Sequence, residues 1–336
     1  MTNYGSGPYG SGPFGGTLPT VSLSGQGTFG CRLSLSSTDP YPKADISGST
    51  VYLLPTKLGP YVAYVSSAGV ITWAAPETPL SLSLSGLSAN SIHDLYLVDQ
   101  SGVPAIARVP GAAKDAIKFG FRLNANTIAG YLSDGSSVTI GRYRGLYIGS
   151  VLISPTAGVA QCDVSYGLSR QWGVWNYFNQ AQITLRAGET TRISYGHILT
   201  NADWAPYAAN TAASLTAFCG RPETVDLSYL QGTWRKSVGG YSTIGNSGIG
   251  WNSVCAPSGT IGGWDTEWTA SSSYDVALGN QSEARLRVPS AVGANVATML
   301  IKMISPTGSG VTSASPSIMY FGMTEADHVL RASYQG

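Results

Sequence analysis

The run Leu80-Ser81-Leu82-Ser83-Leu84-Ser85 alternates apolar and polar positions without error, placing three leucines on one face and three serines on the other. That pattern predicts a half-buried β-strand. Around it, the stretches 50–54, 61–65, 70–73 and 95–98 are rich in β-branched and aromatic residues and are bounded by Gly, Pro, Asn, Asp or Ser. Short strands with such frequent turns point to a sandwich or barrel. Further along, 138–144 and 146–153 predict longer strands that would form a hairpin joining two bodies. The segment Arg170-Gln171-Trp172-Gly173-Val174-Trp175-Asn176-Tyr177-Phe178-Asn179 is too aromatic for a loop and too short to type by periodicity; a strand or one helical turn fits it. Strand-like runs recur at 189–195, 224–227, 274–278, 283–288 and 297–303, and the glycine-rich stretch 239–263 between them reads as a loop. The stretch 324–330 alone predicts a short helix, with Thr324 as its cap and Asp327 at the capping-box position.

The predicted fold class is therefore all-β, in four parts. Residues 1–28 form an extended Gly/Ser/Pro-rich attachment arm, and 29–110 a small fibronectin-like β-sandwich. Residues 111–185 form a connecting β-hairpin and aromatic segment, and 186–336 a C-terminal β-sandwich of jelly-roll type.

The arm carries its own repeat. Tyr4-Gly5-Ser6-Gly7-Pro8 recurs as Tyr9-Gly10-Ser11-Gly12-Pro13 and begins again at Phe14-Gly15-Gly16. Glycine maximises backbone entropy and proline removes a ladder donor, so this stretch cannot build a core. Two readings follow: a flexible leader, or an arm whose aromatics Tyr4, Tyr9 and Phe14 anchor it to a partner subunit.

Composition sharpens the second reading. Of 336 residues, 43% are hydrophobic but only 11% charged, well below the about 25% of ordinary soluble proteins. A chain with formal net charge +1 has little repulsion to keep copies apart, which suits a homo-oligomer, a trimer or another symmetric ring. The balance of 19 basic and 18 acidic residues, with no polybasic tract, argues against nucleic acid as a partner. No run of apolar residues is long enough to span a membrane as a helix, and the N-terminus lacks the basic start and apolar stretch of a secretory signal. Synthesis in a cytoplasm is expected.

Sites of chemistry are sparse. Cys31, Cys162, Cys219 and Cys255 match no zinc spacing and read as small buried hydrophobes, with a disulfide between distant strands left open. His93, His197 and His328 are too scattered for a metal site. The two GxGxxG matches in the arm lack the strand and helix that a dinucleotide fingerprint requires. No cofactor or catalytic residue is assigned. Asp265 and Glu267, flanked by Trp264 and Trp268, stand two apart and on a strand would face one side about 7 Å apart, a spacing compatible with acid/base work on a glycan. The alternative is two exposed carboxylates beside core tryptophans. The cluster Trp172, Trp175, Tyr177 and Phe178 reads as core or subunit interface, with a binding platform as the alternative, and Asn176 and Asn179 could satisfy backbone groups beside it.

Several of these runs are similar to one known group. The stretch from Leu82 to Ile106, with its alternating strand, Ser85-Gly86-Leu87-Ser88-Ala89-Asn90, Asp94-Leu95-Tyr96-Leu97-Val98-Asp99 and Ser101-Gly102, resembles uncharacterised virion proteins of tailed bacteriophages and prophages. Arg142-Tyr143-Arg144-Gly145-Leu146-Tyr147-Ile148-Gly149 and 169–179 fall where that group has an Arg-Tyr-Leu-Gly strand and an Arg-Phe-Val-Trp-Asn-Tyr-Tyr-Asn segment. The Tyr-Gly-Ser-Gly-Pro leader is similar to the start of phage structural proteins. The resemblance departs from the pattern at Trp172-Gly173-Val174 and fades after Trp204. It implies a structural component of the virion, a fibre, spike or decoration subunit that contacts capsid, portal, neck or tail proteins, with no catalytic residues to transfer. The alternative is a receptor-binding or glycan-depolymerising tail protein that meets a host surface glycan.

Overall fold

The computed structural model describes residues 20–21, 28–111, 115–118, 121–188, 194–197, 205–206, 213–236, 243–253, 262–266, 275–304, 317–321 and 328–336. Among these residues every regular element is a β-strand, so the fold is all-β as the alternation predicts. The chain divides into two compact units. The first comprises Met1–Tyr41, Gly48–Ala160 and Asn176–Asn179; the second comprises Pro42–Ser47, Gln161–Trp175 and Gln180–Gly336.

In the first unit, Leu80–Ser83, Thr50–Pro55 and Cys31–Ser34 form an antiparallel sheet, with Leu82 and Leu84 fully buried. Val62–Val65 and Val70–Ala74 form a second, extended by Thr20–Val21 running parallel to Val70 and Ile71. A larger sheet is centred on Ile92–Gln100, flanked by Val103–Pro110 and Leu146–Leu152. Leu95, Tyr96, Leu97 and Val151 are wholly inaccessible there, each fully buried side chain contributing about 1.5–3 kcal/mol of transfer free energy.

The expected hairpin between 138–144 and 146–153 does not form. Ser137–Ile140 pairs instead with Ile128–Tyr131, and Leu146–Leu152 with Ile92–Gln100. The cause is the turn between them, where Tyr143 takes a left-handed φ of 60°. Asn124 fixes that turn from the interior: its amide nitrogen donates to the Gly141 and Asn126 carbonyls at 2.7 Å, and its oxygen accepts from the Gly145 N–H at 2.7 Å. Residues 115–118 and 121–160, expected to begin a connector, are thereby strands and turns of the first unit.

The second unit is built on two sheets. One runs, in order, Gly262–Thr266, Thr243–Trp251, Gly293–Ile304, Ser214–Cys219, Ser169–Trp172, Ala160–Cys162 and Ile46–Gly48. The other runs Gln182–Ala187, His328–Gln335, Thr224–Lys236, Ser317–Phe321 and Ser194–His197, with Asp275–Pro289 also paired to Thr224–Lys236. Their inner faces meet in a β-sandwich, where the Phe218 N–H donates to the Tyr334 hydroxyl at 3.4 Å. Leu185, Leu215, Tyr229, Met299 and Leu330 fill the core between them with no exposed surface. Ser169–Trp172 pairs with Ser214–Cys219 in parallel.

Two local readings are corrected here. Within the glycine-rich stretch expected to loop, Thr243–Trp251 is a strand paired along its length with Gly293–Ile304. Glycine there serves close approach, since a Cβ on Gly250 would lie 2.1 Å from the Ser253 carbonyl oxygen. The expected helix at 324–330 is also overturned: His328, Val329 and Leu330 open the strand His328–Gln335, paired on both sides, while 324–327 lie outside the described residues. Two neighbouring strands outweigh a local cap signal.

The short piece Pro42–Ser47 is held in the second unit by Asp45. One carboxylate oxygen accepts from the Val164 and Ser165 N–H groups at 2.7 Å; the other accepts from the Ser165 hydroxyl and from Arg170 Nη1 at 3.0 Å. Partial burial opposes the charged form, but the Ser165 and Val164 hydrogen bonds and the Arg170 charge outweigh it and hold the carboxyl at about 2. Because this lies below the unfolded value of about 3.9, the stabilisation is complete above that pH and is lost as pH falls through about 2. Asp45→Asn should cost about 1 kcal/mol near neutrality, after discounting for solvent screening of a partly exposed carboxylate. Urea unfolding of both proteins from neutral to acid pH checks this: the gap should shrink between pH about 4 and about 2, and a constant gap would contradict it.

Candidate functional site

The arm anchors Tyr4, Tyr9 and Phe14 lie outside the described residues, as do Glu267 and Trp268. Trp264 and Asp265 fall in the edge strand Gly262–Thr266, opposite Gly245 and Ile244. The fourth cysteine, Cys255, is also outside, whereas Cys31, Cys162 and Cys219 are buried free thiols. Burial pushes Cys31 and Cys219 up to about 11, so neither is a thiolate at neutral pH.

The aromatic segment is strand rather than helix, with Ser169–Trp172 and Val174–Asn176 as its regular parts. Trp172 and Trp175 are buried in the second unit, Trp175 without any exposed surface. Tyr177 and Phe178 belong to the first unit, where Phe178 stacks on Phe29 at 4.1 Å between ring centres and Tyr177 meets Tyr147 edge-on at 5.8 Å. The Arg122 guanidinium lies 4.7 Å from the Tyr147 ring centre and 5.8 Å from that of Tyr177. The two asparagines do what their positions suggest. Asn176 Oδ1 accepts from the Leu33 N–H at 2.6 Å and its Nδ2 donates to the Leu33 carbonyl at 3.3 Å. Asn179 Nδ2 donates to the Phe29 and Cys31 carbonyls at 2.9 and 2.8 Å. A single side chain thus replaces a neighbouring strand at Leu33.

A site the sequence reading did not name lies at one end of the second unit's sandwich. It is a cleft of about 390 Å³ lined by Gln182, Arg221, Glu223, Asp226, Arg287 and Gln335, among others. Arg221 organises its floor. Its Nε lies 3.0 Å from Glu223 Oε1, its Nη2 donates to Gln180 Oε1 at 3.0 Å, and its guanidinium rests 5.8 Å from the Trp175 ring centre. The Glu223 side chain is only 6% exposed, and its backbone exchanges hydrogen bonds with Ser290, whose N–H donates to the Glu223 carbonyl at 2.8 Å. Across the cleft, Arg287 Nε sits 3.4 Å from Asp226 on the neighbouring strand. Tyr334, beneath it, has its hydroxyl held well above the ordinary range by burial and stays neutral.

Each carboxylate in this cleft faces a guanidinium, and the lining holds neither histidine nor cysteine. The chemistry on offer is hydrogen bonding by guanidinium, carboxamide, hydroxyl and carboxylate groups. Among the described residues no cluster of three or more His, Cys, Asp or Glu side chains could hold a metal ion. The one sequence signal for the cleft is Glu283-Ala284-Arg285-Leu286-Arg287-Val288, whose alternation sets both arginines on one face of a strand.

The asparagine bridge yields a prediction. Asn176→Ala would strand the buried Leu33 N–H without an acceptor and should destabilise the protein by about 1–3 kcal/mol, read as a lower urea midpoint. Asn176→Asp, which keeps an acceptor, should recover part of the loss. An unchanged midpoint in Asn176→Ala would contradict the bridging role.

No family model matches the chain, and no curated protein matches it. Among solved structures, the chain is similar to the infectious bursal disease virus VP2 subviral particle, with 12% identity over 94% of this chain and 79% of that one, at a TM-score of 0.28. The Gt strain structure of the same virus gives 11% identity over 95% and 80% of the two chains, at a TM-score of 0.29. The Cry4Aa toxin from Bacillus thuringiensis gives 10% identity over 84% of this chain and 48% of that one, at a TM-score of 0.21.

Proposed function

We propose that this chain is a non-enzymatic structural subunit of a tailed-bacteriophage virion, a fibre, spike or decoration protein attached at head, neck or tail through its N-terminal arm. The observation that carries the reading is the aromatic pentapeptide repeat at Tyr4, Tyr9 and Phe14 ahead of a body with only 11% charged residues. Five-residue spacing in an extended chain sets the rings at most about 17 Å apart, so each acts as a separate anchor. A ring fully buried in a partner pocket contributes about 1.5–3 kcal/mol, less the cost of ordering the glycines between anchors. One arm is weak alone; several arms on one particle add through effective concentration.

The all-β body supports the same reading, because its strands bury their apolar faces within each unit and leave a surface with few charges to oppose contact between copies. Homo-oligomerisation as a trimer or other ring, contact with capsid, portal, neck or tail proteins, and residence in the virion after synthesis in the host cytoplasm belong to this proposal. The resemblance of 82–106, 142–149 and 169–179 to virion proteins of tailed phages favours it.

Deleting residues 1–16 should leave a folded, soluble body and abolish its incorporation into particles, measured by the protein content of purified virions together with circular dichroism of the free protein. Truncated protein that enters virions as well as the full chain would sink the idea. The glycan-depolymerising alternative predicts reducing ends released from host surface polysaccharide and lost in Asp265→Asn and Glu267→Gln. The structural reading predicts none.

A further inference from the structure

Two strand edges in the first unit border a groove that no ladder fills. Among the described residues Leu80–Ser83 pairs only with Thr50–Pro55, which leaves its other edge open. Val103–Pro110 pairs with Ile92–Gln100, but on its other side it meets Ile128–Tyr131 at one position, Arg108 opposite Tyr131. The groove between these edges, of about 220 Å³, is lined by Leu80, Ser81, Pro104, Ala105, Ile106 and Leu132, among others. Val103 and Tyr131, next in sequence to lining residues, are exposed apolar side chains. The carboxylate of the lining, Asp134, is already engaged: its Oδ1 accepts from the Ser136 N–H at 2.9 Å and from the Ser136 hydroxyl at 2.5 Å. What remains is a largely apolar recess below the about 300 Å³ at which small-molecule pockets begin. It suits one side chain of an extended segment that adds to an open strand edge.

The N-terminal arm leads toward this groove. Thr20–Val21 runs parallel to Val70 and Ile71, so the chain before Thr20 leaves at the Val70 end of that strand. At that end lies the turn 66–69, where the Gly69 N–H donates to the Ser66 carbonyl at 2.8 Å. Asp99 ties it to the next turn: one carboxylate oxygen accepts from the Ser67 N–H and the other from the Gly102 N–H, both at 2.6 Å. Gln100 and Pro104, within and just after that second turn, line the groove. From Thr20 back to Phe14 is six residues, a reach of at most about 22 Å, so Phe14 is the first aromatic of the arm that arrives there. Residues 1–19 carry no charged side chain, which matches an apolar recess, and Gly15-Gly16 let the backbone beside Phe14 approach a strand edge closely.

We propose that in the free subunit this groove seats the Phe14 ring of the same chain, with the arm's backbone along the open edge of 103–107. The short connection from Thr20 gives the ring a high effective concentration at its own groove, which favours that occupant over a second copy. The ring stays covered until a pocket on another virion component competes for it. That competition rests on the attachment reading; the seating of Phe14 does not.

Photo-crosslinking of the full chain with p-benzoylphenylalanine in place of Phe14 tests the proposal. Isotope-labelled and unlabelled protein are mixed in equal amounts, irradiated and digested, and the linked peptides are identified by mass spectrometry. Links should run to 80–81, 104–106 or 132, with both ends from one isotopic population. Links that pair labelled with unlabelled chains at the statistical frequency overturn seating in the same chain, and links elsewhere, or none, overturn the groove. Ala105→Glu, which sets a charge in the recess, should lower the linked fraction about tenfold. Circular dichroism checks its fold, and Ser81→Arg takes its place if Ala105→Glu does not fold. An unchanged linked fraction in a folded variant overturns the site. No virion component is present, so failure here leaves the attachment reading standing, whereas virions that take up protein lacking residues 1–16 remove that reading and not this one.

Discussion

Buried backbone groups that no neighbouring strand reaches are satisfied here by asparagine side chains, and much of the irregular structure depends on that substitution. Asn124, with no exposed surface, holds Gly141 and Gly145 at the two ends of a turn. Asn176 takes both backbone groups of Leu33, and Asn179 two carbonyls near it. In the second unit Asn295 bridges the Ala291 N–H and carbonyl, and Asn252 accepts from the Val296 N–H at 2.8 Å. A carboxamide offers a donor and an acceptor in the geometry of a peptide group without a charge to desolvate. In a chain of short, interrupted strands this avoids the cost of orphaned amides where a ladder ends.

Charge is used locally, and where it is used it fastens segments distant in sequence. Asp45 gathers Val164, Ser165 and Arg170 around a six-residue piece that returns from the N-terminal half of the chain. Asp94, nearly buried, accepts from the Ser150 hydroxyl at 2.6 Å, and that hydroxyl lies 2.6 Å from the Tyr147 hydroxyl. Burial keeps Tyr147 protonated, so this polar chain presents no charged phenolate to the core. Arg221 and Glu223 are paired at the floor of the cleft. Arg186, on the strand Gln182–Ala187, likewise donates to the Val164 carbonyl at 2.9 Å.

Strand identity was legible where side chains alternate, as at Leu80–Ser83 and Glu283 to Val288, because the period of two is a property of the strand itself, and at Tyr61 to Val65 from its β-branched and aromatic content. It was illegible where local and long-range terms conflict. The consecutive strand-like runs from Val138 to Ile153 suggested a hairpin, but Asn124 pins the connecting turn and each strand pairs with a different neighbour. Glycine in Thr243–Trp251 suggested a loop, and the pairing with Gly293–Ile304 overrode it. The aromatic segment was readable as a place of burial, and the roles of Asn176 and Asn179 as backbone partners followed from residue type.

By itself the sequence determined the all-β class, the burial of the aromatic segment, the repeat of the arm and the scarcity of charge, all set by residue type and local period. Tertiary structure alone decided which strands are neighbours and in what register. Arg186, Arg285 and Arg331 become a row only because Ser228 pairs with strands from both sides, and Arg221 meets Gln180 only through the return of the chain. Such contacts join residues tens to more than a hundred positions apart, and a strand's alternation says which face a side chain takes but nothing of the strand beside it.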